Sequence, residues 1–161
     1  MSKTDLPILE QRRIEANIIK PIYNEMVASI GKKQATEILR CAIVKNAIEQ
    51  GQAYAKSEGG ETSLTSFHQL LPQWKANGAL TVEMLAESET EVHYNVTRCM
   101  YAEMYKKMGL AEIGHILSCG RDGTFCTGYN PNIKLDRTQT VMQGASHCDF
   151  RYRWDESGGD Q

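Results

Sequence analysis

"LTVEMLAESETEVHYNVT", residues 80–97, decides the fold class. Leu80, Val82 and Met84 alternate with Thr81 and Glu83, and beyond "ESET" Val92, Tyr94 and Val96 alternate with His93, Asn95 and Thr97. Alternation of this kind sends apolar side chains to one face of a strand, so two such runs around a short polar turn predict a β-hairpin.

Upstream of Gly78 the period is helical. Ile14, Ile18, Ile22, Met26 and Ile30 recur every four residues and predict one apolar stripe along a first helix, kinked or begun at Pro21 and ended at Gly31. From Lys32 to about Lys56, Ala35, Ile38, Leu39, Ala42, Ile43 and Ala47 share one side of a second helix. Cys41, Val44 and Ile48 widen that surface, as in a helix packed between other elements. "SEGGETS", residues 57–63, breaks the pattern, and Thr62 or Ser63 is placed to cap a short third helix carrying Phe67, Leu70, Leu71 and Trp74.

Downstream, "RCMYAEMYKKMG", residues 98–109, returns to helical spacing. "SCGRDGTFCTGYNPN", residues 118–132, has the small and polar composition of a functional loop or broken helix. "IKLDRTQTVMQ" reads as a strand, "GASH" as a turn, and Cys148, Phe150, Tyr152 and Trp154 alternate with Asp149, Arg151 and Arg153 in a last strand. The expected fold is α+β: N-terminal helices packed on a roughly four-stranded antiparallel sheet, with a helix and the functional loop between two hairpins. Residues 1–154 are expected to form one domain and residues 155–161 a polar tail.

Composition narrows the partners. With 18 basic and 20 acidic residues among 161, the net charge of −2 offers no field for a phosphate backbone, so a nucleic-acid partner is not expected. The first 20 residues lack the unbroken apolar core of a secretory signal, and no run approaches the roughly 20 apolar residues of a membrane span. Five dispersed cysteines suit reduced thiols, and the expectation is a cytoplasmic protein with a small-molecule substrate. The apolar first helix would also suit a homo-oligomer interface.

Three clusters carry candidate chemistry. Cys99 and Glu103 are one helical turn apart; "CGRD" adds Cys119 and Asp122; the last strand opens with His147, Cys148 and Asp149. Each alone reads more simply as packing or surface, and none has the spacing that declares zinc. A helix start, a loop and a strand end are, however, places where a pocket above a sheet is assembled. Arg137 leaves its strand on the side of Leu135, Gln139 and Val141 and needs a carboxylate, either Asp122 or that of a ligand. In the last strand Cys148 shares the aromatic face and Asp149 the opposite one, which ranks Cys148 as the inward residue.

"RCMYAEMYKKMG", "SCGRDGTFCTGYNPNIKLDRTQTVMQG", "CDFRY" and the upstream "EANIIKPIYNEM" resemble the L-2-amino-thiazoline-4-carboxylic acid hydrolase family over residues 12–154. The back half is more loosely similar to 4-vinyl-reductase-type small-molecule-binding domains, which implies the alternative of a non-catalytic small-molecule or metal-binding sensor. The first resemblance implies hydrolytic opening of a cyclic isothiourea carboxylate to N-carbamoyl-L-cysteine. Such a reaction draws its catalytic groups from Cys148, Cys119, Asp122, His147 and Asp149, and its substrate contacts from Arg137, Thr138, Thr140, Glu103 and Asn130. Three routes stay open: a general base acting on water at His147 or Asp149, a thiolate nucleophile at Cys148 or Cys119, or water on a divalent metal among Cys99, Glu103, Cys119, Asp122 and Cys148.

Overall fold

The computed structural model describes residues 6–159; residues 1–5, and the last two of the expected tail, lie outside the described residues. Two long helices lead, α1 (Ile8–Ile30) and α2 (Lys32–Ser57), followed by short helices α3 (Leu64–His68) and α4 (Leu71–Lys75). Then come β1 (Leu80–Glu87), β2 (Glu91–Cys99), α5 (Met100–Lys107), α6 (Gly120–Tyr129), β3 (Ile133–Asp136) and β4 (Cys148–Trp154). The strands form one antiparallel sheet in the order β1-β2-β4-β3. The expected α+β class is borne out.

The hairpin pairs Leu80 with Cys99 and Val82 with Val96, and irregularities at Thr81/Val82 and Met84/Ala86 turn the outer part of β1 away. Met84 is therefore exposed, whereas Val92, Tyr94 and Val96 are buried in the inner strand β2. Along β4, Cys148, Phe150 and Tyr152 are buried while Arg153 is exposed, which follows the alternation. Tyr94 stacks on its cross-strand partner Phe150 at 5.0 Å between ring centroids.

Four local expectations are corrected. The every-fourth isoleucine stripe of α1 faces outward: Ile14, Ile18 and Ile22 are exposed, and the inner face is Ile8, Arg12, Ala16 and Tyr23. Pro21 does not interrupt the helix; it lies on the solvent side, where both it and Asn17 are exposed. The segment read as a functional loop or broken helix over 118–132 is largely regular helix: a wide turn over His115–Cys119, closed by Gly120 N–H to the His115 carbonyl, runs into α6. Gly128 of this segment serves contact rather than turning: a Cβ there would lie 2.0 Å from the Ile48 carbonyl oxygen, and one on Gly51 of α2 would lie 2.2 Å from that of Phe125. α2 and α6 thus touch backbone to backbone. Finally, the strand from Ile133 ends at Asp136, because the Thr138 and Gln139 amides turn to the Asp149 carboxylate instead of a neighbouring strand.

After α2, Ser63 caps α3 through a reciprocal bond pair with Ser66, and Pro72 opens α4. These two short helices run beneath the sheet as a strap. The first residues of the expected tail form a turn in which Ser157 bonds Asp155. No described helix is long and apolar enough to cross a membrane.

Candidate functional site

Between the inner face of the sheet, the strap and α6 lies a cavity of about 100 Å³, a volume on the scale of a single small ring. The strap contributes Phe67, Leu71 and Trp74 and the sheet Tyr94, Phe150 and Tyr152, so most of the wall is aromatic or aliphatic. Trp74 and Phe67 lie edge-on or tilted around Phe125 of α6.

One wall is chemically different. Cys99 ends β2, Cys119 precedes α6, Cys148 begins β4, and with Asp122 all four line the same cavity. Segments far apart in sequence meet here because the sheet places β4 beside β2 and the cavity lies between these strands and α6. Arg137 stands behind this wall. Its Nη1 donates to Asp122 Oδ2 at 2.6 Å, its Nη2 to the Cys119 carbonyl at 3.0 Å, and its guanidinium lies 5.0 Å from the Phe150 ring centroid. The guanidinium fork is thereby engaged within the protein.

Burial governs the protonation of this wall. It pushes Asp122 above the usual carboxylate range, against the opposing pull of Arg137. The same desolvation raises Cys99 to about 11, although the Ala102 amide donates to its sulfur at 3.4 Å. Cys119 is raised well beyond the ordinary thiol range, again chiefly by burial and then by the nearby Asp122 charge. Cys148 is raised by burial against the Val141 amide, which donates to its sulfur at 3.2 Å. These are neutral thiols at neutral pH, and Asp122 is the group on the wall suited to moving a proton.

The other proposed residues stand outside the cavity. Glu103 is on the surface and pairs with Arg98, which lowers its pKa. Asn130 bonds Thr62 and holds the start of the strap. Asp149 accepts from Thr138 and Gln139; burial pushes its pKa up, but those bonds outweigh it and the result is lowered. Thr140 is buried and caps the turn at Val141–Gln143. His147 bonds Ser146 through Nδ1, and its carbonyl accepts from Gln139. Among the described residues no group of three or more His, Cys, Asp or Glu side chains is arranged to hold a metal ion.

The family model described as L-2-amino-thiazoline-4-carboxylic acid hydrolase matches residues 11–152. The chain belongs to this family. The match takes in Asp122, Arg137 and the three clustered cysteines of this L-2-amino-thiazoline-4-carboxylic acid hydrolase family member. No curated protein matches the chain. Among solved structures, it is similar to the phenol-responsive sensory domain of the transcription activator PoxR, solved with phenol. There the identity is 13%, the TM-score 0.51, and the coverage 91% of this chain and 77% of the other. It is also similar to a trafficking protein particle complex subunit 3 from Naegleria fowleri, covalently bound to palmitic acid. That likeness has 10% identity, a TM-score of 0.52, and coverage of 91% of this chain and 96% of the other. At such identities the likeness is one of fold.

In this family member the cavity also holds residues that spacing did not single out: Arg12 from α1, Gln50 from α2, His68 from the strap and Arg121 from α6. The signal for Arg12 was its place one turn from both Ile8 and Ala16, on a face overshadowed by the more apolar isoleucine stripe. Arg121 was hidden in a segment whose glycines read as turns.

Proposed function

We propose that the chain is a hydrolase that opens a small cyclic amidine or isothiourea carboxylate, of the L-2-amino-thiazoline-4-carboxylate type, to an N-carbamoyl amino acid. The observation that carries the reading is Asp122: a carboxylate with a raised pKa, fixed by Arg137, on the thiol-lined wall of a ring-sized cavity. Membership of the hydrolase family agrees with it.

Asp122 takes a proton from water as the water oxygen bonds to the amidine carbon, forming a tetrahedral centre. The hydroxyl proton shifts to the nitrogen that took up the C=N pair, the carbonyl forms as the carbon–sulfur bond breaks, the sulfur leaves with the bonding pair, and the Asp122 proton passes to it. The product gains one water and carries a urea and a thiol. Arg137 is a positioning residue that holds the carboxylate toward the cavity, and the aromatic walls exclude competing water. The raised thiol pKa values favour attack by water over attack by Cys148 or Cys119.

The test is incubation of purified protein with L-2-amino-thiazoline-4-carboxylate, with N-carbamoyl-L-cysteine followed by chromatography and mass spectrometry. Catalytic formation of that product supports the reading. Saturable binding of the ring with no product gives instead the non-catalytic binding module.

A further inference from the structure

Arg12 and Arg121 are each 7% exposed, among the few charged side chains in the interior, and both line the helical end of the cavity. They come from different elements and share one carboxylate: Arg12 Nη1 bonds Glu15 at 2.9 Å, and Arg121 Nη2 lies 3.9 Å from the same side chain. Glu15 is itself 37% exposed. Around Arg121 the remaining partners are neutral, namely the Leu117 carbonyl, Asn46 and Gln50. Asp122, the other acid on the cavity, is already matched by Arg137. Two buried cations thus face one partly solvated anion, and the site carries a surplus positive charge.

The donors tell the same story. Arg12 Nε and Nη2, and Arg121 Nη2, have no hydrogen-bond acceptor among the described residues. These nitrogens keep some accessible surface, so an acceptor that enters the cavity can reach them. Burial and the neighbouring Arg12 lower the Arg121 pKa to about 10, the sign of a cation short of countercharge.

We infer that Arg12 and Arg121 form the seat for a ligand carboxylate, which makes the cavity selective for small rings that bear a carboxylate over the same rings without one. A carboxylate bridging the two guanidiniums supplies the missing acceptors and the missing charge, and its ring extends toward the aromatic wall and Asp122. Because Arg12 is on α1 and Arg121 on α6, the ligand also joins two elements of the fold. The inference rests on the proposed hydrolytic reading for the choice of ring, not for its charge.

The test is calorimetric binding of 2-aminothiazole-4-carboxylate, an aromatic analogue resistant to ring opening, against 2-aminothiazole, the same ring without the carboxylate. The intact protein is expected to prefer the carboxylate by at least about tenfold, the scale of charge-assisted hydrogen bonds, and to melt at higher temperature when it is bound. R121Q and R12Q are expected to abolish the preference, and R121K to keep part of it. Equal binding of the two rings by the unaltered protein overturns the inference, whatever the folding of the variants. Absence of turnover with the preference intact overturns the hydrolytic reading alone.

Discussion

Arg137 holds Asp122 through one nitrogen and the Cys119 carbonyl through another, at 2.6 and 3.0 Å, so the acid on α6 and the turn before it are fixed from the far side of the sheet edge. Their side chains are 11% and 26% exposed, which makes this a largely desolvated pair. Removing one partner of such a pair leaves an uncompensated charge. Arg137→Ala is expected to lower stability by about 3 kcal/mol in chemical denaturation. Arg137→Lys should lose less, because an ammonium keeps the charge but cannot span both contacts.

The protonation of the wall predicts a pH profile. A general base works when deprotonated, and burial raises Asp122, so the acid limb of kcat/KM should lie above the roughly 3.9 of a free aspartate. At the alkaline end, Arg121 must stay protonated to hold a carboxylate, so ligand affinity should weaken as pH rises through about 10. An acid limb at the position of an exposed aspartate, or one unchanged in Asp122→Asn, speaks against Asp122 as the base.

Single Cys148→Ser and Cys119→Ser variants separate water attack from thiol attack. If water attacks, each should keep activity within about tenfold of the parent, since the thiols only shape the wall. Loss by several orders of magnitude in one of them, with the fold intact by circular dichroism, identifies that thiol as a nucleophile.

Gly128→Ala tests the contact that places α6. The added methyl meets the Ile48 carbonyl at 2.0 Å, and neither backbone can yield without parting the helices. A net loss of about 2 kcal/mol or more is expected in denaturation, despite the better helix propensity of alanine. An unchanged melting temperature contradicts the close contact of α2 and α6.

Much of the fold was legible because alternation is a strong signal where one face is buried. The hairpin Leu80–Cys99 and the inward run Cys148, Phe150 and Tyr152 lie as their patterns require. Helix α6 was obscured because a glycine needed for contact with α2, Gly128, looks in sequence like a glycine needed for a turn. The orientation of α1 inverted as well: its inner face is Ile8, Arg12, Ala16 and Tyr23, and the more apolar stripe is left outside. The convergence of Cys99, Cys119, Asp122 and Cys148 followed from element ends meeting above a sheet. Arg12 and Arg121 did not: the period that places Arg12 with Ile8 and Ala16 is outweighed by the more apolar isoleucine stripe, and Arg121 lies in a glycine-rich segment.

The most direct measurement compares the parent chain with Asp122→Asn for ring binding and for turnover of L-2-amino-thiazoline-4-carboxylate. The amide keeps the size of the side chain but cannot take up a proton, so binding should stay within about tenfold while kcat falls by about 10²- to 10⁴-fold. Turnover in Asp122→Asn equal to that of the parent contradicts the account.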